Sequence, residues 1–547
     1  MFQWDAYTAQ EPENKTWDVV VIGAGMGGCT IGWALAKHNL SVLFLERGHP
    51  ARLFTWQRNR SGIRRFFRSE KITDADLEAR GSWPKRIAFE RRGKRVVAQL
   101  ALGTGPGGST VIYGAALERL RRADFARTDH SLAGDQPMPD EWPVEYDTFV
   151  KYYEQAERLF GVRGSRDPTD PDDTSVLDLP PALSQRDYHF FQSFKQAGLS
   201  PYRLHVGIEY TPGCTECLGL PCPNDCKADA SSRALRPSLR NYGAKILLGC
   251  EVLRLETSRH HVKHVVARVG GRELNIRGRI MILAAGALST PQILLKSACE
   301  RWPNGLGNDS GLVGRCLMFH ISEFVALWPT VRLDASGPKK TLSSRALYTV
   351  AGKKFGGFQS VGLPISYGHI YGYLLGWYER HFRWRVPIAR RGLMVAAIVA
   401  AWLFRDAALF ATIMEDFPYR DNRVEMDPNS QNGFKIVYEH SEELISRISL
   451  MRRLLRARLG RHRPFFLTGT DNLNFGHPSG TCRFGSDPAT SVLTPNNQVI
   501  GISNLYVVDA SFFPSCGGAN PSLTVAANAL RVAELILERI PALQAAG

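Results

Sequence analysis

The stretch DVVVIGAGMGG, residues 18–28, decides the fold. Its first half is an apolar, β-branched run, which is typical of a buried parallel strand. Its second half, GAGMGG (23–28), has the spacing Gly-x-Gly-x-x-Gly and leads into a helical stretch. In this pattern Gly23 permits a tight turn, Gly25 lets the backbone approach a pyrophosphate, and Gly28 lets the helix pack closely on the strand. The stretch therefore predicts a Rossmann-like unit that binds a dinucleotide.

An acidic residue follows at the place where such a unit needs one. The predicted strand SVLFLE (41–46) ends in Glu46, 23 residues beyond Gly23. An acid there can bind both hydroxyls of an adenosine ribose, and it would repel a 2′-phosphate. The sequence therefore predicts FAD or NAD and disfavours NADP.

The overall composition is that of a globular protein with a basic surface. The chain has 547 residues, of which 44% are hydrophobic and 22% charged, and its formal net charge is +16. The arginines are scattered, and no zinc-finger, RRM or basic-zipper pattern accompanies them, so we expect no nucleic-acid partner. The polar, acidic N-terminus lacks the pattern of a secretory signal, which predicts a cytoplasmic location and reduced thiols.

The C-terminal part contains a second group of motifs. NLYVVDAS (504–511) has the pattern of another buried strand that ends in an acid. Asn520 and Pro521 have the residue types of a helix cap and a first helical position, and they precede a predicted long helix. His477 lies in GHPSGTCRFG (476–485) between a glycine and a proline, which predicts a loop.

Five motifs, in order along the chain, resemble those of the glucose–methanol–choline (GMC) oxidoreductases, a family of flavoenzymes. They are VVVIGAGMGG, GTGPGGSTVIYG (103–114), AAGALSTPQILLKS (284–297), GHPSGTCRFG, and VVDAS with NPSLT. The resemblance runs over nearly the whole chain and implies FAD-dependent oxidation of an alcohol. It also implies an α/β fold, in which a Rossmann-like FAD-binding domain is interleaved with an α+β substrate domain built on an antiparallel sheet.

The positions of the motifs predict how these two domains alternate. The FAD-binding domain is expected at 14–144, 241–314 and 476–547, and the substrate domain at 145–240 and 315–475. In the substrate domain we predict an amphipathic helix at YDTFVKYYEQAERLF (146–160) and strands in HISEFVALW (320–328).

The resemblance implies roles for individual residues. His477 is the expected base for the alcohol proton, and Asn520 is expected to bond the substrate oxygen, with plain helix capping as the alternative for Asn520. Tyr113 stands where members of the family often carry Asn near the flavin. The residues expected to contact FAD are Gly23, Gly25, Gly28, Glu46, Gly107, Gly108, Ser109, Val252, Gly286, Asp509, Ala510, Pro521 and Thr524.

Three stretches carry a narrower resemblance: GNDSGLVGRCL (307–317), STVIYGAALER (109–119) and GTCRFGSDPATSV (480–492). They resemble the flavin oxidases of aminoglycoside biosynthesis, which oxidise the 6′-hydroxyl of paromamine, and also sugar and polyol dehydrogenases. A sugar-like or polyol alcohol is therefore the expected substrate. The electron acceptor stays open between oxygen, a quinone and a redox protein. A lyase of the hydroxynitrile type, which keeps FAD without net redox chemistry, is the alternative from another class.

The apolar segment GLMVAAIVAAWLF (392–404), continued by ALFATIM as far as residue 414, motivates a second substrate alternative. Thirteen residues are too few to span a bilayer. A buried helix or the wall of a substrate channel is the main interpretation. Peripheral membrane contact through 392–414 is the other, and it would suit a bulky apolar, sterol or long-chain alcohol.

Four of the ten cysteines lie in CTECLGLPCPNDC (214–226). Only one Cys-x-x-Cys pair is present, which disfavours a zinc ribbon, and a cytoplasmic location disfavours disulfides. The family resemblance favours a metal-free loop followed by a basic residue, here Lys227. An iron–sulfur cluster on Cys217, Cys222 and Cys226, as in one branch of the family, is the alternative.

Overall fold

The computed structural model describes residues 2–52, 73–128, 137–365, 370–371, 374–375, 378, 387–468 and 475–545. The helices in these ranges are α1 (Met26–Ala36), α2 (Asp74–Ala79), α3 (Arg122–Phe125), α4 (Tyr146–Phe160), α5 (Gln185–Gln196), α6 (Arg236–Asn241), α7 (Thr290–Lys296), α8 (Pro387–Leu403), α9 (Glu442–Leu459) and α10 (Ser522–Ala545). The strands are β1 (Thr16–Ile22), β2 (Val42–Leu45), β3 (Ile87–Arg91), β4 (Lys94–Ala98), β5 (Tyr202–Arg203), β6 (Lys245–Leu247), β7 (Glu251–Thr257), β8 (Val262–Val269), β9 (Arg272–Leu283), β10 (Met318–Ile321), β11 (Phe324–Leu327), β12 (Leu342–Ser344), β13 (Thr349–Val350), β14 (Lys353–Lys354), β15 (Gly356–Ser360), β16 (Ala408–Met414), β17 (Arg423–Met426), β18 (Phe434–Val437), β19 (Phe465–Phe466), β20 (Phe475–Ser479) and β21 (Leu505–Val507).

A parallel sheet carries the N-terminal motif near its centre. Strand β1 pairs with β2 on one side and with the C-terminal half of β9 on the other, and β6 and β21 extend the sheet at its two ends. The N-terminal half of β9 continues into an antiparallel meander with β8 and β7. The apolar run in β1 and β2 is buried, because helix α1 packs against these strands and α10 packs on α1.

A larger, antiparallel sheet forms the second layer of the molecule. Its order is β19-β11-β16-β15-β12-β5, and β10 joins β16 to β20. A smaller sheet has the order β17-β18-β3-β4, so residues 87–98 pair with residues 423–437 far along the chain. The combination of a parallel sheet with helices and an antiparallel sheet confirms the predicted α/β fold class. The exact domain limits stay a prediction.

Two local predictions are confirmed in the substrate part. Helix α4 begins and ends at the residues of the predicted amphipathic helix, and its buried face includes Phe149, Tyr153 and Phe160. The predicted strands in 320–328 are β10 and β11.

The interpretation of 392–404 as a buried helix is wrong, whereas peripheral membrane contact through 392–414 stays a prediction. Helix α8 exposes Val395, Ile398, Val399 and Leu403, and its Trp402 is 70% exposed. Strand β16, which follows, lies in the middle of the antiparallel sheet and is almost wholly buried. Hydropathy is similar in both halves, but only the second half is covered by neighbouring strands. No helix in the described ranges is long and apolar enough to cross a membrane.

Two substitutions should separate the two halves of this segment. Phe410→Ala removes a β16 ring that is 2% exposed and stacks on Phe358, and we expect it to lower the free energy of unfolding by about 3–5 kcal/mol. Trp402→Ala removes an exposed α8 ring and should change the free energy of unfolding by less than about 0.5 kcal/mol. Urea denaturation measures both. A similar loss in the two variants would contradict the exposed position of α8.

Candidate active site

The first glycine motif forms a turn that tolerates no side chain at two of its three positions. Gly23 has a positive φ of +98°, and its N–H donates to the Leu45 carbonyl oxygen. A Cβ on Gly28 would lie 2.0 Å from the carbonyl oxygen of Gly23. By contrast, a Cβ on Gly25 would meet no described atom within 4 Å. The open side of Gly25, at the N-terminus of α1, could therefore receive a pyrophosphate.

The second glycine motif meets the first at this open side. The N–H of Gly107 donates to the carbonyl oxygen of Ala24 at 2.7 Å. A Cβ on Gly108 would lie 3.0 Å from the Cα of Gly25. Ser109 follows in the same short turn and is exposed. The structure thus brings all three predicted residues of this motif to the glycine turn, about 80 residues away in sequence.

Glu46 ties these loops together through its carboxylate. Oε2 accepts the N–H of Ala24 at 2.9 Å, and Oε1 accepts those of Gly48 at 2.8 Å and Gly105 at 3.2 Å. A carboxylate offers about four acceptor positions. Three backbone donors therefore leave Glu46 able to accept one ribose hydroxyl, not the two that the sequence predicted.

The sequence KILLGCE (245–251) predicts one strand that ends before Val252, an expected FAD contact. In the structure β6 ends at Leu247, and Val252 lies inside β7. The N–H of Cys250 donates to the carbonyl oxygen of Glu46, which holds the start of β7 beside the ribose-binding position.

Asp509 acts as a second buried connector. Its Oδ2 accepts the N–H of Gly286 at 2.9 Å and the hydroxyl of Thr290, and its Oδ1 accepts the N–H of Ser511 at 2.9 Å. Burial raises the pKa of Asp509 above its usual value, and these donors oppose that shift. Ala510 follows and is partly exposed. Asp509 therefore fixes the loop of Gly286, and direct contact with a cofactor stays a prediction.

His477 lies in strand β20, not in the loop that the flanking glycine and proline predicted. Strand β20 pairs antiparallel with β10, and this pairing sets His320 beside His477. His477 has a φ of +59°, in the left-handed region that non-glycine residues rarely adopt. Such strain costs about 1–3 kcal/mol and tends to occur at functional positions.

The two histidines form a directed hydrogen-bond chain. Nε2 of His320 lies 2.9 Å from the carbonyl oxygen of Gly517, and its Nδ1 lies 3.2 Å from Nδ1 of His477. Because a carbonyl oxygen only accepts, Nε2 of His320 carries the proton. Nδ1 of the neutral His320 ring then accepts, so His477 donates from Nδ1 and keeps a lone pair on Nε2. No motif marked His320, and the sequence analysis missed its role.

The surroundings keep both rings neutral. Burial lowers the pKa of His320 to about 4. Burial, followed by the charges of His320 and Lys340, lowers the pKa of His477 to about 3. A group with such a pKa is a free base at neutral pH, so His477 is able to accept a proton there.

The residues at the start of α10 divide into internal contacts and one open group. The hydroxyl of Thr524 bonds the Tyr153 hydroxyl at 2.9 Å, and the carbonyl oxygen of Pro521 accepts the N–H of Val525. Asn520 is 8% exposed, yet no described residue donates to its Oδ1. A side chain that capped α10 would accept a backbone N–H there. The capping alternative for Asn520 is therefore not supported, and its amide is available to a ligand.

Comparison with known proteins gives the family. Models of the N-terminal and C-terminal parts of GMC oxidoreductases match residues 17–322 and 418–529. The chain belongs to the GMC oxidoreductase family. It is therefore an enzyme, an oxidoreductase that acts on a small-molecule alcohol and passes electrons to an acceptor.

Relatives of this GMC oxidoreductase match over almost their whole lengths. Paromamine 6′-oxidase from Streptomyces fradiae is 28% identical, with 97% of this chain and 93% of that protein covered. The 2-methyl-1,2-propanediol dehydrogenase from Mycolicibacterium austroafricanum is 26% identical, with 95% of each covered. A solved structure of formate oxidase from Aspergillus oryzae RIB40, concerned with FAD modification, superposes with a TM-score of 0.62 at 16% identity, covering 97% of this chain and 100% of that one. The last similarity concerns the fold alone.

The cysteine loop of this GMC oxidoreductase holds its thiols close together. Sγ of Cys222 lies 3.3 Å from Sγ of Cys226; both residues are buried, whereas Cys214 and Cys217 are partly exposed. No group of three or more His, Cys, Asp or Glu side chains in the described part of the chain could hold a metal ion. The structure therefore gives the iron–sulfur alternative no support.

Lys227 attaches this loop to the second glycine motif. Its ammonium is fully buried and donates to the carbonyl oxygens of Val111 at 2.7 Å, Leu220 at 2.6 Å and Cys217 at 3.1 Å. A cage of carbonyl dipoles replaces the water that the charge loses on burial. The basic residue after the cysteines is therefore a structural connector.

A matched pair of glycine substitutions tests the cofactor cradle of this GMC oxidoreductase. Gly25→Ala has open space for its methyl group, so we expect a folded protein whose FAD affinity falls at least about tenfold, because the methyl occupies the pyrophosphate position. Gly28→Ala would press against the Gly23 carbonyl and should destabilise the fold itself. Circular dichroism and flavin fluorescence measure the two effects. Unchanged FAD binding by Gly25→Ala would contradict the assignment.

Proposed function

We propose that this GMC oxidoreductase uses FAD to oxidise a CH–OH group of a sugar-like or polyol alcohol to a carbonyl. The observation that carries the proposal is the neutral His477, with Nδ1 held by His320 and Nε2 free of any described partner. The open face of Gly25 and the remaining acceptor position of Glu46 support FAD as the cofactor.

The residues at this site have separable tasks. When bound, FAD supplies the acceptor for the hydride of the carbinol carbon. His477 takes the hydroxyl proton on Nε2, and its Nδ1–H stays bonded to His320, so the ring keeps its orientation as its charge changes. Asn520 can donate its amide to the substrate oxygen, where negative charge develops as the proton leaves.

The names of the relatives support the substrate class. One relative is called an oxidase of paromamine at its 6′ position, and another a dehydrogenase of a propanediol. We therefore favour a hydroxyl-rich substrate. The electron acceptor and the cytoplasmic location stay predictions. A lyase remains an outcome that the following experiment would reveal.

Anaerobic mixing of the FAD-loaded protein with a panel of sugars and polyols tests the proposal. We expect loss of flavin absorbance near 450 nm with at least one alcohol, and a rate about 10²–10⁴-fold lower in His477→Ala, because the variant lacks the base. The FAD content of the variant should equal that of the wild type. A substrate that is cleaved without flavin bleaching would identify a lyase, and an undiminished rate in His477→Ala would contradict the role of this histidine.

Two His320 variants serve as matched controls for the same reaction. His320→Phe removes both hydrogen bonds and lets the His477 proton move to Nε2, so kcat should fall while KM changes little. His320→Asn can keep an acceptor for Nδ1 of His477 and should retain more of the rate. Since the low pKa of His477 keeps it neutral, the wild-type rate should not fall through this group between pH 7 and pH 5. Equal rates in the two variants would mean that His320 is merely structural.

A second candidate function, oxidation of a bulky apolar alcohol at a membrane surface, rests on the exposed face of α8. Val395, Ile398, Val399, Trp402 and Leu403 share this face and are each more than half exposed. Exposed apolar patches of this kind commonly contact partners or lipid. An anionic lipid surface is the partner that the net charge of +16 favours.

Vesicle sedimentation tests this second candidate. We expect the wild type to sediment with phosphatidylglycerol-containing vesicles and much less with phosphatidylcholine alone. Both apolar contact and electrostatic attraction to anionic lipid would contribute to binding at this surface. The double variant Val399→Ser and Trp402→Ser should stay in the supernatant while keeping its fold. Failure of the wild type to bind anionic vesicles would overturn the membrane alternative and leave the soluble-alcohol proposal untouched.

A further inference from the structure

A second buried lysine lies at the same site and has a different environment from Lys227. The side chain of Lys340, 7% exposed, extends between two glycines. A Cβ on Gly362 would lie 3.0 Å from its Cβ, and a Cβ on Gly114 would lie 2.6 Å from its Nζ. Any larger residue at Gly114 would displace the ammonium. The chain therefore leaves room for this charge at the end of the second glycine motif.

The ammonium of Lys340 has no hydrogen-bond acceptor of its own in the described ranges. Lys227 donates to surrounding carbonyl oxygens, whereas no described atom accepts from Nζ of Lys340. Nearby carboxylates are engaged elsewhere. Glu118 pairs with Arg345 at 2.7 Å, and Glu216 accepts the backbone N–H groups of residues 339 and 340.

Burial lowers the pKa of this ammonium, as it does that of Lys227. Desolvation lowers the pKa of Lys340 to about 8, although the charges of Glu118 and Glu216 oppose the shift. The charge of Lys340 in turn acts on His477, the proposed base. The ammonium of Lys340 therefore lies at the end of the second glycine motif, close enough to His477 for its charge to act on that ring.

An ammonium without an acceptor, on a side chain that is only 7% exposed, has lost much of its hydration, and a ligand that neutralises it recovers part of that cost on binding. A hydroxyl would supply one neutral acceptor. A carboxylate or phosphate would supply a full opposite charge and several acceptor oxygens, and charged hydrogen bonds are roughly twice as strong as neutral ones. A cationic amino sugar would meet like charge.

We propose that Lys340 is a substrate-recognition residue and that the preferred substrate is an alcohol bearing an oxyanion, a carboxylate or a phosphate. The oxyanion bonds Nζ of Lys340 while the carbinol hydroxyl faces Nε2 of His477. This inference rests on the proposed function of the site and narrows its substrate class from hydroxyl-rich alcohols to acidic ones.

Matched pairs of small alcohols test the proposal in the FAD-loaded enzyme. The probes are gluconate with sorbitol, glycerate with glycerol, and glucose 6-phosphate with glucose, and glucosamine supplies the cation. Dissociation constants come from the perturbed flavin spectrum, and rates come from anaerobic flavin reduction. We expect the anionic member of at least one pair to bind about 10- to 100-fold more tightly, the range of one hydrogen bond to a charged group.

Lysine variants assign the preference to one side chain. Lys340→Met should abolish the preference for the anion, whereas Lys339→Met removes an exposed neighbouring charge and should keep it. The gluconate and glucose 6-phosphate arms distinguish a carboxylate from a phosphate. His477→Ala should retain the binding preference while losing turnover, which separates recognition from chemistry.

The possible outcomes distinguish this proposal from the general function. Efficient oxidation of the neutral alcohols, with no anion preference in the wild type, would overturn the role of Lys340 and leave alcohol oxidation intact. Absence of flavin reduction by every alcohol, with anion binding preserved, would overturn the proposed function instead. A changed flavin reduction potential in ligand-free Lys340→Met, without an anion preference in the wild type, would assign the ammonium to the cofactor and overturn the proposal.

Discussion

The buried carboxylate of Glu46 is the constraint on which the cofactor cradle depends. It collects the N–H groups of Ala24, Gly48 and Gly105, which belong to separate loops, and its own backbone is bonded to residues 247 and 250. The glycines can then pack backbone against backbone, because no side chain separates them. A neutral residue at this position would leave these donors without an acceptor in a buried place, which is costly. One acidic side chain therefore holds these loops in place even without a bound ribose.

The same principle of long-range pairing orients the base. The pairing of β10 with β20 brings together His320 and His477, which are 157 residues apart in the chain. The resulting hydrogen-bond chain runs from Gly517 through His320 to His477. The carbonyl oxygen of Gly517 fixes the direction of this hydrogen-bond chain, because it can only accept a hydrogen bond. Orientation of the base thus follows from backbone geometry, and the unusual φ of His477 is the cost of aiming its ring.

Local patterns were enough to predict the parallel sheet, the glycine turn, Glu46 and helix α4, because each depends on residues close in sequence. His477 and Asn520 were recognised through motifs. His320 and Lys340 were not, because neither belongs to a motif, and the role of each arises only when distant segments meet. The exposure of α8 was missed for a related reason. Hydropathy reports how apolar a segment is, but not whether another element covers it.

Two of the buried lysines, Lys227 and Lys340, show how the environment, rather than the residue type, distinguishes a structural role from substrate recognition. Lys227 is surrounded by carbonyl oxygens, so its charge is already compensated and binding could gain nothing from it. Lys340 is 7% exposed, against 0% for Lys227, and its ammonium lacks such acceptors, so a ligand would have to supply them. The basic surface acts in the same direction, since a net charge of +16 draws anions towards the molecule at long range. Surface charge would thus raise the rate at which anions reach the protein. The Lys340 ammonium would slow the dissociation of those that bind to it.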